Sequence, residues 1–545
     1  MTIRLDGLKL KSSQVMAAAR PAASGRFEKA ALHPRSREAL GHARAFIEAN
    51  WLHDDAPLMY AFNTGVGLFK DQRVMIADMA LYQELVIKAH ATGLGQPLAE
   101  DIVRATMLLR ANAFASNYSG PALAVVDRLL DFLNKGLHPV IPEKGSVGAS
   151  GDLAPLAYLA GAMAGFPEAE IDYRGKRYPA PEAIRRAGLS GDFKLGAKDA
   201  SALINGSTVS LAIGVLAAAD ARRLAKAADV SLALSLEAMR GELIAFAPPI
   251  HIARPHPGQQ TAARNITRIA GDSKRCSEAA RLLLYPEENR KADVAPPPRI
   301  QDVYSIRCAP QVHGPVRDAL DYIDGVLQVE MNSATDNPLM FDDENGGYRV
   351  ISGGNFHGQY VAQAMDLLGL AIAIADLGSI SERRLARLLD PGMSYGLPRN
   401  LNAGRKGLNT GFGTVQCSMS ALVMENRTLA AAGSVDSIPG KGNAEDHVSN
   451  STWCARKARQ IVENVEYIIG GEMLMAAQAL SLVEPLAKDH PLGTGSSAAL
   501  AAIRDKIKPA LDGDRWFHTD IAAARDLIRT NEVVEAVEAA IGALD

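Results

Sequence analysis

Cysteine is scarce: Cys276, Cys308, Cys417 and Cys454 are the only four in 545 residues, too few and too scattered for a disulfide framework. No Cys-x-x-Cys or His-Glu-x-x-His spacing occurs, so a structural or catalytic zinc site has no basis. Free thiols and a cytoplasmic location are therefore expected. Neither sign of charge is in excess: 58 Lys and Arg stand against 61 Asp and Glu, which removes the basic footprint of a nucleic-acid binder. Met1 to Lys11 is polar and lacks the apolar run of a signal peptide. The longest uncharged stretch, Ala200 to Ala219, contains Ser201, Asn205, Ser207, Thr208 and Ser210, which suits a buried segment better than a membrane span. Internal repeats and low-complexity tracts are also missing.

What is present has the balance of a globular enzyme, 48% hydrophobic and 22% charged, in a chain too long for one ordinary core. Its texture divides it into residues 1–206, where short helical stretches alternate with Gly and Pro clusters, and residues 207–545, where long runs lack breakers. These runs are Thr208 to Phe246, Gln311 to Met331, Phe356 to Leu389 and His447 to Val483. Apolar residues recur in them at helical spacing, as in Leu224, Val230, Leu232, Leu234 and Leu236. At ~1.5 Å per residue the longest make rods on the order of 50–60 Å. An all-α, elongated helical bundle is the expected product. Its surplus apolar surface favours a homo-oligomer. Strand-like alternation is confined to the neighbourhood of Glu170 to Tyr178.

Residues Gly145 to Leu156 read Gly-Ser-Val-Gly-Ala-Ser-Gly-Asp-Leu-Ala-Pro-Leu. At the centre, Ala149-Ser150-Gly151 can cyclise. The Gly151 nitrogen attacks the Ala149 carbonyl, and two waters leave, one carrying the Ser150 hydroxyl. The product is 4-methylidene-imidazol-5-one (MIO), an electrophile made from the chain alone. Glycine lets its nitrogen approach closely, serine supplies a hydroxyl to eliminate, and alanine does not block closure. The bare tripeptide says little in an alanine-rich chain. With Gly148, Asp152 and Ala154-Pro155-Leu156 around it, the stretch resembles the MIO segment of the aromatic amino acid ammonia-lyases.

Further stretches from Tyr60 to beyond Trp453 resemble the same family, most closely its histidine-acting members. That resemblance implies a bundle of the fumarase/aspartase-like type, with a mixed, mostly helical N-terminal region bearing the MIO tripeptide. In Tyr60-Ala61-Phe62-Asn63-Thr64-Gly65-Val66-Gly67 it makes Tyr60 the base that takes the β-proton. A free tyrosine has a pKa of ~10, so its anion needs stabilising, as helix N-termini do. In Leu203-Ile204-Asn205-Gly206-Ser207, Asn205 touches the ring and the substrate amine; taken alone, Asn205 also reads as the N-cap of the long helix that follows. In Gln301 to Gln311 the resemblance gives Arg307 the substrate carboxylate, which suits a guanidinium fork. It sets Tyr304 beside the ring and Gln301 in the substrate pocket. Asn332 to Pro338 and Ser352 to Gly358 also match; Phe356 shapes the electrophile's surroundings, and His357 reads as structural.

The substrate is implied by two more positions. Glu445, in Asn443-Ala444-Glu445-Asp446-His447, stands where histidine lyases carry a Glu facing imidazole and where phenylalanine lyases usually carry Gln. His90, in Lys88-Ala89-His90-Ala91-Thr92-Gly93, stands where histidine lyases have His and phenylalanine lyases tend to have Leu. A carboxylate and an imidazole suit a ring with two nitrogens and are costly against phenyl. The expected reaction is elimination of ammonia from L-histidine to give urocanate, with no metal, nucleotide or pyridoxal phosphate, in a homotetramer that shares its sites between subunits. A lyase or 2,3-aminomutase for another aromatic or heteroaromatic amino acid is the alternative. The fumarase group's Gly-Ser-Ser-x-Met-Pro-x-Lys signature is missing, since Gly495-Ser496-Ser497 continues Ala498-Ala499-Leu500. The chain departs from the family at Ala61, Val66, Ala89, Lys441 and Ala444. Lys441 has two readings: a surface pair with Glu445 if the segment is helical, or a cation in the pocket that neutralises Glu445.

Overall fold

The computed structural model describes residues 2–22, 24–283, 300–372, 377–405 and 407–545. Helices dominate it, as the periodicity implies. Two of the four unbroken runs form long helices close to their expected places: Ala309–Glu330 with 22 residues and Ser451–Ala487 with 37, the latter about 55 Å long. The other two are shorter than expected. The first run is helical only over Thr208–Ala238, and Arg240 then takes φ +54 before a short turn at Leu243–Phe246. The Phe356 to Leu389 run gives two helices, Gln359–Leu370 and Leu377–Leu389, and its residues 373–376 lie outside the described set.

The chain forms two compact units that are discontinuous in sequence. One comprises Met1–Ala219, Ile323–Asp366 and Ala432–Arg456; the other comprises Asp220–Tyr322, Leu367–Ala431 and Lys457–Asp545. The texture of the sequence draws a linear division at 206/207 instead, assigning 323–366 and 432–456 to its second part. Those segments pack with the first unit, through contacts far apart in sequence that local texture does not encode.

The first unit is built round helix Glu100–Ala115, which is buried on every face from Ile102 to Ala115. Its acidic first turn, Glu100 and Asp101, suits the positive end of the helix dipole. Its polar residues are paired inward: Arg104 donates to the carbonyls of Ala18 and Leu133, and Arg110 Nη1 donates to Thr208 Oγ1 at 3.0 Å. Small sheets decorate this unit. Glu170–Tyr173 pairs antiparallel with both Lys176–Pro179 and Leu137–Pro139, at the place where alternation is visible in the sequence. Leu339–Asp342 pairs with Tyr348–Ile351. Met340 from that hairpin joins Ala43, Ile47, Trp51 and Phe62 in a core cluster, with the Trp51 and Phe62 rings edge to face at 5.0 Å. A fully buried ion pair, Lys198 to Asp336 at 3.0 Å, also holds the Asn337 carbonyl through Lys198 Nζ. The Ala200 to Ala219 stretch is almost wholly buried here, and no described helix is long and apolar enough to cross a membrane.

The second unit has two buried carboxylates as its organising points. Glu472 accepts both Nε and Nη2 of Arg384, at 2.5 and 2.8 Å, together with the hydroxyls of Ser235 and Ser381. Asp229 accepts from His313, Arg317 and Asn265. Each satisfied carboxylate ties together helices that are remote in sequence; removing one partner of such a pair costs about 3–5 kcal/mol.

Candidate active site

The Ala-Ser-Gly turn is fixed by glycine contacts on one side and by a carboxyl group on the other. Gly148 and Gly151 adopt φ +70 and +74. Gly151 lies directly on Gly206: a Cβ on Gly151 would sit 2.1 Å from the Gly206 carbonyl carbon. A Cβ on Gly206 would in turn sit 2.0 Å from the Thr335 carbonyl oxygen. Two backbone hydrogen bonds complete the clasp, Gly206 N to Ser150 O at 3.2 Å and Asp152 N to Gly206 O at 2.8 Å. Side chains fit at neither glycine, so the compression needs both.

Asp152 holds the other side. Fully buried, it accepts four hydrogen bonds: from the Ser210 backbone N–H (2.8 Å) and the hydroxyls of Ser210 (3.0 Å), Ser146 (3.1 Å) and Thr452 (2.6 Å). Burial raises its pKa above the usual carboxyl value, against the pull of these donors. Asp152 is also the N-cap residue of helix Leu153–Ala164, while Ser210 and Thr452 lie in the first turns of helices Thr208–Ala238 and Ser451–Ala487. Three helix N-termini therefore meet at Asp152, next to the tripeptide, where their dipoles favour its carboxyl group. Further bonds dock the turn's Val147 and Gly148 carbonyls on Asn450, Ser449 and Gly358.

Around this turn the first unit gathers most of the residues singled out in the sequence. Ser150 Oγ donates to Glu445 Oε1 at 2.6 Å, and Lys441 Nζ lies 3.1 Å from the same oxygen. His90 is within range of both charges. Burial holds its imidazole below the ordinary pKa; Lys441 pushes the same way, while a hydrogen bond to the Val86 carbonyl and the Glu445 carboxylate oppose. The 2.7 Å contact with that carbonyl puts the proton on Nδ1 and leaves Nε2 as the acceptor of the neutral ring. Asn205 Nδ2 donates to the Asn337 carbonyl at 3.0 Å, whereas its buried Oδ1 has no partner among the described residues. Asn205 is not the N-cap of the long helix: it closes the short helix Asp199–Ile204, and Thr208 starts the next. Half-buried Phe356 is two residues from Gly358, whose N–H donates to Gly148 O. His357 stacks on His447 at 5.7 Å, a structural contact.

Tyr60 lines a cleft of about 420 Å³ with Leu58, Thr64, Lys70, Asp71, Asn337 and Ser352. Its hydroxyl accepts the Gly67 N–H at 3.2 Å. Buried Asn63 sets the loop by donating to the Trp51 and Pro57 carbonyls and accepting the Met59 N–H. Ala61 takes φ +63, a conformation that glycine adopts with less strain. Sequence reasoning missed Tyr82, on helix Met79–His90. Burial pushes its hydroxyl up to about 12, and the Tyr60 phenol adds to the push. It reads in sequence as one more residue of an amphipathic helix, and no local signal separates it from a core tyrosine.

Gln301, Tyr304 and Arg307 belong to the second unit. Gln301 is exposed and Tyr304 is 71% exposed. The Arg307 guanidinium lies 4.6 Å over the Tyr304 ring, and its Nε donates to the Asp302 carbonyl at 2.7 Å. No cluster of metal-ligating side chains occurs among the described residues.

The first unit's arrangement fits an MIO ring: an Ala-Ser-Gly turn seated glycine on glycine and an orphaned buried acceptor on Asn205. Two solved structures share the whole fold. Histidine ammonia-lyase from Trypanosoma cruzi superposes with a TM-score of 0.86 at 34% identity, covering 99% of this chain and 96% of that one. Tyrosine aminomutase from Streptomyces globisporus gives 0.88 at 31% identity, covering 99% of each. Fold and site thus define a helical carbon–nitrogen lyase of the ammonia-lyase and aminomutase type. The aromatic amino acid lyase family model matches residues 10–505. Histidine ammonia-lyase from Gloeobacter violaceus is 43% identical over 541 residues, 99% of this chain and 98% of the relative. The chain belongs to the aromatic amino acid lyase family, whose members use MIO and act on free amino acids as small-molecule substrates.

The Asp152 knot generates a prediction. Asp152→Ala leaves the buried Ser210 N–H and Thr452 hydroxyl without their acceptor at about 1–3 kcal/mol each, while the hydroxyls of Ser210 and Ser146 can turn to the Ser207 and Gly151 carbonyls. Its thermal midpoint should fall well below wild type, and turnover should drop at least a hundredfold as the turn loosens, on the scale of a ~1 Å misplacement. An Asp152→Ala enzyme with wild-type midpoint and turnover would show that the knot is dispensable.

Proposed function

We propose that the protein eliminates ammonia from L-histidine to give urocanate, using an MIO ring that it closes itself from Ala149, Ser150 and Gly151. The single observation that carries this reading is the hydrogen bond from Ser150 to Glu445 beside the Gly151–Gly206 clasp, with His90 in electrostatic range of Glu445. Relatives named histidine ammonia-lyase support it.

The β-proton is weakly acidic and a free amine leaves poorly, so both ends of the elimination need help. When formed, the MIO ring supplies an electrophile that makes the substrate nitrogen a better leaving group. The chain's own residues do the rest. Tyr60 Oη takes the β-proton, and the Gly67 N–H that it accepts in the free enzyme stabilises its anion. Asn205 Oδ1, orphaned and buried, accepts an N–H of the substrate amine. Arg307 pairs the substrate carboxylate. Glu445 and His90 face the imidazole, and Glu445 accepts its N–H. Phe356 bounds the electrophile, and Tyr304 and Gln301 close the pocket. No metal, nucleotide or pyridoxal phosphate enters this scheme.

The reading extends to assembly. Gln301 and Tyr304 project from the surface of the described chain, and Leu68, Phe69, Val435 and Ile438 are exposed apolar side chains in the first unit. A homotetramer in which residues 301–307 of one copy complete the Ser150 site of another accounts for both, and a cytoplasmic location suits its free thiols. The second reading, a lyase or 2,3-aminomutase for another aromatic amino acid, is favoured by one observation, the fold-wide likeness to a tyrosine aminomutase.

Two experiments test this. Turnover of L-histidine, followed by urocanate absorbance, should be lowered in Glu445→Gln by about 1–3 kcal/mol of transition-state stabilisation, with little change for L-phenylalanine. A wild-type enzyme inert toward histidine but active on another aromatic amino acid would move the assignment to the second reading. Tyr60→Phe and Arg307→Ala, each inactive alone, should regain part of the activity when their subunits are dissociated, mixed and reassembled. Full activity in a sedimenting monomer would refute shared sites.

A further inference from the structure

Lys441 stands in a conformation that lysine seldom takes. Lys441, Gly442 and Asn443 have φ values of +49, +61 and +66, in a turn closed by the antiparallel bridge between Gly440 and Glu445. Glycine and asparagine enter the left-handed region readily; a lysine there is strained. The segment is a single tight turn, not the α-helix in which an i to i+4 pair would lie along a solvent face. The turn folds the lysine back, so its ammonium meets Glu445 Oε1 at 3.1 Å. Glu445 is only 15% exposed, and the same oxygen accepts Ser150 Oγ. The cation is therefore at the reacting end of the site, where His90 also lies within range of its charge.

We propose that Lys441 is a specificity-determining residue: its ammonium and the Glu445 carboxylate together read the edge of the substrate ring, selecting a heteroaromatic ring that offers both an N–H donor and an acceptor over an unsubstituted phenyl ring. This rests on the histidine reading above and deepens it. In the uncyclised chain Ser150 Oγ occupies the acceptor position on Glu445 Oε1. Ring closure eliminates that hydroxyl and leaves the position open to a ring N–H. A carboxylate alone reads only the donor of an imidazole. The adjacent ammonium supplies the complementary donor for the ring's lone pair, since neutral imidazole carries one of each. The pair is also neutral as a whole, so an uncharged ring enters without leaving a carboxylate uncompensated. Phenyl satisfies neither member, and covering the pair with it leaves both without a partner.

The test uses the full-length enzyme as wild type, Lys441→Met and Lys441→Arg. kcat and KM are measured for L-histidine and L-phenylalanine, and intact mass verifies a two-water deficit in each preparation. Lys441→Met should lower the histidine-to-phenylalanine ratio of kcat/KM by about tenfold or more, because a pocket built to hydrogen-bond loses its partner. Most of the change should fall on KM for histidine. Lys441→Arg keeps the charge and should retain most of the ratio. A ratio in Lys441→Met that is unchanged or higher, with the mass deficit intact, overturns the proposal and leaves histidine turnover standing. A wild type that carries the deficit and turns over neither amino acid defeats the histidine reading and this proposal with it.

Discussion

The first unit depends on one buried carboxyl group. Asp152 joins the loop that carries Ala149-Ser150-Gly151 to the starts of helices Thr208–Ala238 and Ser451–Ala487, which lie about 60 and 300 residues away in sequence. Such a group is tolerable in the interior only because four donors meet it. The same bonds bring three helix N-termini to Asp152, so one arrangement ties the segment to all three helices. On the opposite side, Gly151 and Gly206 permit an approach that any side chain would block. A turn held between a satisfied carboxyl and a pair of glycines has little freedom to relax, the condition under which an amide nitrogen attacks a carbonyl two residues back.

The substrate recognition proposed for this site uses a second acidic group with a different neighbourhood. Glu445 is mostly buried and meets a hydroxyl and an ammonium, whereas Asp152 is sealed and meets only neutral donors. The first suits an exchangeable partner, the second a permanent one. His90 belongs with the first: its imidazole is held neutral by burial, and its Nδ1 proton is committed to the Val86 carbonyl. In the proposed function, the electrophile is held by the sealed carboxyl and the choice of ring falls to the less buried one.

Much of this was legible in the sequence, for identifiable reasons. The Ala-Ser-Gly segment has the residue types that ring closure calls for, Asn205 and Glu445 stand out only through their resemblance to the ammonia-lyase family, and the structure brings Ser150 and Glu445 to 2.6 Å although they are 295 positions apart. The long helices at Ala309–Glu330 and Ser451–Ala487 follow from unbroken apolar periodicity. Periodicity did not reveal the end of Thr208–Ala238, because Arg240 interrupts it with a left-handed backbone and no proline or glycine precedes it. The linear division at 206/207 carried no information on the return of residues 323–366 and 432–456 to the first unit, since such packing is set by tertiary contacts. Lys441 shows the same limit at one residue. Its spacing from Glu445 is that of a helical pair, and only the left-handed turn reveals that the pair faces Ser150. Tyr82 was invisible because its partner Tyr60 comes from another segment.

The central claim, that this chain converts its own Ala149-Ser150-Gly151 into an electrophile, is tested most directly by peptide mapping of the purified wild-type protein with tandem mass spectrometry. The account predicts a fragment containing Gly145 to Leu156 that is lighter than its encoded mass by two waters, with the loss confined to residues 149–151. An active wild-type enzyme whose fragment carries the full encoded mass would contradict it.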